Sequence, residues 1–103
     1  MPQKSQQSDR PERSIERSFV RRAEALGCKT RKLNGPGHVA WHDRLVLVPG
    51  GEFALIEFKR PGGSLSRTQD AFHDDLNNMG HAKNSHVFDN WQDAIALVRR
   101  LMR

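Results

Sequence analysis

Midway along the chain an apolar run, Phe53-Ala-Leu-Ile, ends in Glu57-Phe-Lys59. Side chains alternate along a strand, so Phe53, Leu55, Glu57 and Lys59 would share one face and Ala54, Ile56 and Phe58 the other. Both faces are mostly apolar, and both are expected to be covered. A carboxylate and an ammonium in such a place are costly unless they pair with each other or engage something else. Two further carboxylates widen the choice. Asp43 precedes the apolar residues 45–48 and is a poor strand former. Glu16 sits beside Ile15 and three residues before Phe19, at the margin of a helical apolar stripe. A hairpin turning at Pro49-Gly-Gly51 would set position 43 opposite roughly 57 to 59. Two carboxylates about 4 Å apart repel by roughly 4 kcal/mol at an effective dielectric of 20. Such a cluster calls for a divalent cation, and oxygen ligands favour Mg2+ or Mn2+ over zinc.

The elements that must carry these residues follow from periodicity and punctuation. Residues 1–8 are polar and aperiodic and are expected to be a disordered tail, with the folded domain over 9–103. Asp9 is a candidate N-cap for a first helix over about 10–26, with Glu12 at capping-box spacing. Ile15, Phe19, Ala23 and Leu26 form its apolar face, and Gly27 stops it. Residues 28–33 suit a strand. Asn34-Gly-Pro-Gly37 is a loop signal, and residues 38–48 are expected to form a second strand paired antiparallel with a third over 53–59. Ser64 or Ser66 can cap a helix carrying Phe72, Leu76 and Met79 on one face and ending at Gly80. Residues 86–88 form a short fourth strand. Asp89 or Asn90 caps a last helix with Trp91, Ile95, Val98 and Met102 on its apolar stripe. The expected order is α-β-β-β-α-β-α, an α/β domain with a mixed sheet flanked by helices.

Composition narrows the partners. The 103 residues are one domain's worth. A single cysteine, Cys28, rules out an internal disulfide and is expected to be a buried small residue. No run approaches the roughly 20 apolar residues of a membrane helix, and the first residues lack a signal peptide's apolar stretch, so a cytoplasmic location, in a bacterium or a phage-infected host cell, is expected. Seventeen Lys and Arg against 12 Asp and Glu give a net charge of +5, which favours polyanions. His38 and His42 have helical spacing but lie in a predicted strand, and the other histidines lack a ligand-like pattern, which argues against structural zinc.

Asp43 followed by Glu57-Phe-Lys59 resembles the Asp…Glu-x-Lys signature of the PD-(D/E)XK nuclease superfamily. Together with Glu16, Asp43-Arg44, Ile56-Glu-Phe-Lys59 and Gly63-Ser-Leu-Ser66 leading to Gln69, the chain is similar to stand-alone VRR-NUC (virus-type replication-repair nuclease) domains over about residues 12–100. One departure is His42, where the family usually has proline before the aspartate. The resemblance implies a restriction-endonuclease-like core and Mg2+- or Mn2+-dependent cleavage of DNA. It also implies homodimers acting on branched substrates such as the four-way Holliday junction. It assigns Asp43, Glu57 and the Phe58 carbonyl to the metal, with Glu16 binding directly or through water. Lys59 orients the attacking water or stabilises the transition state, and Gln69 positions Lys59, the water or a phosphate. Lys29, Arg31, Lys32, Arg44, Arg60 and Arg67 are the expected phosphate contacts. From the residues alone two other readings stay open. One is a basic module that binds nucleic acid without cutting it. The other is an interaction protein, of toxin–antitoxin type, in which Glu57 and Lys59 form only a salt bridge.

Overall fold

The structure is a computed structural model describing residues 11–35, 37 and 39–102. The expected tail over 1–8, the Asp9 cap, Pro36 and His38 lie outside the described residues. Helix α1 spans Pro11–Ala25. Strands β1 (Lys29–Lys32), β2 (Arg44–Leu47) and β3 (Phe53–Phe58) follow. Helix α2 (Arg67–Asn78) leads through a 3-10 turn (Ala82–Asn84) to β4 (Ser85–Phe88) and helix α3 (Trp91–Met102). The order is the α-β-β-β-α-β-α expected, and the sheet is mixed. β1, β2 and β3 are antiparallel neighbours, and β4 joins β3 in parallel, in spatial order β1-β2-β3-β4.

Both helix starts after β3 are set by short polar side chains. Ser66 accepts a hydrogen bond from the Gln69 amide while the Gln69 side chain accepts from the Ser66 amide, a complete capping box on α2. Asn90 accepts from the Asp93 amide ahead of α3. The β2–β3 hairpin turns at Gly50 and Gly51, whose φ values of 107° and 102° are open to glycine and strained for other residues.

One face of the sheet builds the core. Val46, Ala54, Ile56 and Phe58 pack against Phe19 and Ala23 of α1 and Ala94, Ile95 and Val98 of α3, with the Phe19 and Phe58 rings 5.3 Å apart. Arg22 of α1 lies over the Trp91 ring of α3 at 3.7 Å, a cation–π contact that locks the two helices. Cys28 is buried just ahead of β1 and burial raises its thiol pKa, as suits an inert packing residue.

Three expectations are corrected. The second strand begins at Arg44, not near residue 38: residues 39–43 are turn and irregular backbone, and Leu33 closes the loop by donating its amide to the Asp43 carbonyl at 2.9 Å. Met79 is 68% exposed and belongs to the helix end rather than a buried stripe. Phe72 packs on Trp41, ring centroids 4.8 Å apart, while His73 and Leu76 take the buried positions of α2.

Candidate active site

The register Arg44↔Ile56 carries the hairpin one step further to set Asp43 beside Glu57. Asp43 is fixed by main chain as well as side chain. Its Oδ2 accepts the buried Phe58 amide at 2.7 Å, and its Oδ1 accepts from the side-chain amide of Asn34. Each carboxylate oxygen keeps a second lone pair for another partner. Asn34 was expected only as part of a turn; the Asn-Gly pair announced the loop but not this contact.

Glu57 is buried, 2% exposed, on the sheet face opposite the α1–α3 core. Lys59 shares that face, with Nζ 3.3 Å from Glu57 Oε2, and its amide extends the ladder by donating to the Phe88 carbonyl. Gln69, at the start of α2, joins the two. Its Oε1 accepts from Lys59 Nζ at 3.0 Å and its Nε2 donates to Glu57 Oε2 at 3.1 Å. The same Oε1 caps the helix through the Ser66 amide. All the hydrogen bonding of Glu57 thus falls on one oxygen. Oε1 is buried and has no partner among the described residues, which is expensive for a charged group. Burial, and then the neighbouring Asp43 carboxylate, push the Glu57 carboxyl up to about 7, against the smaller opposing pull of Lys59. Asp43 is also raised, first by burial. Two buried acids that hold on to protons, one with an oxygen left over, describe a place short of positive charge. That fits a hard divalent cation.

Glu16 lines the same open pocket of about 320 Å³, with Glu12, Arg13, Asn34, Asp43, Glu57, Phe58, Lys59 and Gln69 around it. Its carboxylate is held there by two cations. Lys32 Nζ lies 3.0 Å from it and Arg44 Nε 2.7 Å. α1 covers the face carrying Ile56 and Phe58, so Glu57 points away from it, and the Glu16 charge acts on Asp43, helping to raise it. Among the described residues no three acidic, histidine or cysteine side chains converge to hold an ion. Asp43 links the acids: the Glu16 charge helps to raise it, and it in turn raises Glu57. Lys32 bridges the gap, 3.9 Å from Asp43 Oδ1.

Of the expected phosphate contacts, Lys29, Arg31, Lys32, Arg60 and Arg67 are exposed. Lys32 and Arg44 are tied to Glu16. His42, where proline was anticipated, is wholly buried, bonds Ser85 Oγ through Nε2 at 2.8 Å and stacks on His73 at 4.1 Å. Burial, with lesser contributions from His73 and His86, lowers it to about 4. It is a buried, neutral packing residue next to Asp43 in the chain. This histidine pair was missed, and neither sequence spacing nor strand alternation signals it.

No protein-family profile matches the chain. It is 34% identical over 70 residues to p44, named as a candidate nuclease, of Acyrthosiphon pisum secondary endosymbiont phage 1, covering 68% of this chain and 75% of that one. It is also similar to a solved structure described as a VRR_NUC domain, at 25% identity and a TM-score of 0.75, covering 88% of this chain and 97% of the other.

Proposed function

The chain belongs to the VRR-NUC family of nucleases, and on that premise we propose that it is a divalent-metal-dependent endonuclease that hydrolyses DNA phosphodiester bonds at the Asp43–Glu57–Lys59 pocket. The observation that carries this is Glu57 Oε1. A purely structural salt bridge with Lys59 would account for Oε2 and leave no reason to bury the second oxygen without a partner.

Asp43 and Glu57, with the Phe58 carbonyl, would hold Mg2+ or Mn2+. Such a cation, when bound, polarises the scissile phosphate and lowers the pKa of an attacking water. The chain supplies the rest. Lys59 offers a fixed ammonium to the water or to charge developing on the phosphate oxygens. Gln69 prevents that ammonium from swinging away. Glu16, which lines the pocket, would meet the ion directly or through water, and it holds Lys32 against Asp43. Lys29, Arg31, Arg60 and Arg67 supply phosphate contacts, so binding weakens steeply as salt rises.

Branched DNA such as a four-way junction is the proposed substrate class, and a homodimer the proposed working form. Support for pairing lies on the sheet face away from the core. There Leu47 is 50% exposed and its register partner Phe53 is 36% exposed, while α2 reaches only the Glu57 end. A second copy would cover this face. Leu47→Glu is expected to convert a dimer to a monomer in size-exclusion chromatography with light scattering; an unaltered dimer mass would place the interface elsewhere.

The direct test is incubation of the purified protein with linear, flap and four-way DNA, with Mn2+ and with chelator. Cleavage only with the ion supports the assignment; tight binding without cleavage under every condition would leave a DNA-holding module. Asp43→Asn should retain the Phe58 contact through its remaining oxygen and weaken Mn2+ binding. Unchanged calorimetric titration would remove Asp43 from the ligands.

A further inference from the structure

Trp41 lies two residues before Asp43 and keeps 40% of its surface in solvent. Its indole is not loose: Phe72 of α2 braces it at 4.8 Å with the rings inclined at 53°. It borders a groove of about 440 Å³ formed with Arg31, Lys32 and Leu33. The groove adjoins the active site. Leu33 is bonded to the Asp43 carbonyl, and Lys32, whose ammonium turns to Glu16, comes within 3.9 Å of Asp43 Oδ1. An aromatic face in one groove with the exposed Arg31 has the two contacts a single-stranded nucleotide needs, stacking for the base and charge for the phosphate. A stacked duplex offers its phosphates to Arg31 but no open base face to the indole.

We propose that Trp41 is a base-stacking residue that receives an unpaired nucleotide of the DNA substrate in the groove of Arg31, Lys32 and Leu33. This rests on the nuclease assignment and adds a physical source of preference for DNA with unstacked bases, as at a flap or a strained branch point. Bracing by Phe72 limits the ordering that stacking requires.

The test uses the full chain in chelator, so binding is read apart from cleavage. In a Trp91→Phe background Trp41 is the sole tryptophan, and its emission reports on the groove directly. Titration with an oligo-dT 12-mer is expected to quench it substantially, and a blunt hairpin duplex to leave it nearly unchanged. Trp41→Ala is expected to weaken oligo-dT binding about tenfold or more, the usual scale for one lost stack, with duplex affinity within about twofold. Trp41→Phe is expected to recover most of the loss. Absence of quenching by oligo-dT, equal weakening for oligo-dT and duplex, or emission that changes only with protein concentration as copies associate would each overturn the proposal. Wild-type protein that quenches but never cuts with Mn2+ would instead count against the nuclease assignment.

Discussion

Lys59→Ala is expected to bind DNA nearly as well as the parent protein and to cut it roughly 10²–10³-fold more slowly, or worse, the scale on which a lost electrostatic group registers in turnover. The ammonium is one positive charge in a basic surface, so its contribution to affinity is small. Its contribution to catalysis depends on position, and three contacts hold that position: Glu57 Oε2, Gln69 Oε1 and the ladder bond of its own amide. Gel-shift affinity alongside single-turnover cleavage separates the two effects. Turnover within a few fold of the parent would remove Lys59 from the chemistry.

Glu57→Gln is expected to abolish productive metal binding and, unusually for a buried substitution, to stabilise the metal-free protein above neutral pH. The carboxyl titrates near 4.5 when free in solution and at about 7 in the fold. The folded state therefore holds a proton that the unfolded chain has released. Stability from this group is fully present below about 4.5 and is lost as pH rises through about 7. The difference corresponds to roughly 3 kcal/mol at alkaline pH. The amide cannot ionise and escapes that loss. Chemical denaturation of metal-free protein at pH 5 and pH 8.5 is the check: the parent should weaken markedly between them, and the variant much less. In the parent, Mn2+ affinity should fall as pH drops below about 7, because the ion and the proton compete for the same carboxylate. Equal pH dependence in both proteins would mean that another group governs the slope.

Much of this site was legible in the amino-acid order because strand alternation is strict. Once residues 53–59 are read as a strand, Glu57 and Lys59 must share a face, and a hairpin at Gly50-Gly51 must bring Asp43 alongside. Gln69 was legible through Ser66, because capping-box spacing and the family signature coincide there. What escaped lies where a side chain replaces regular backbone. The β-rich composition of residues 39–48 suggested a longer strand, yet the Asp43 carboxylate takes the Phe58 amide and the ladder begins at Arg44. Glu16 stood at the edge of the apolar stripe, and the family resemblance put it in the site. Periodicity does not reveal that Lys32 and Arg44, both apparently free to meet phosphate, converge on it from neighbouring strands. The His42–His73 stack joins a loop to a helix 31 positions away and has no local signature.

The amide that grips Asp43 belongs to the main chain at position 58. Any residue except proline offers the same N–H there. Half of the proposed metal-binding pair is therefore anchored to something ordinary side-chain replacement cannot delete. Aromatic and basic positions bordering the pocket can change, and with them the shapes of DNA accepted, while the acid stays aimed. A lineage could retune its targets in this way without having to rebuild its chemistry.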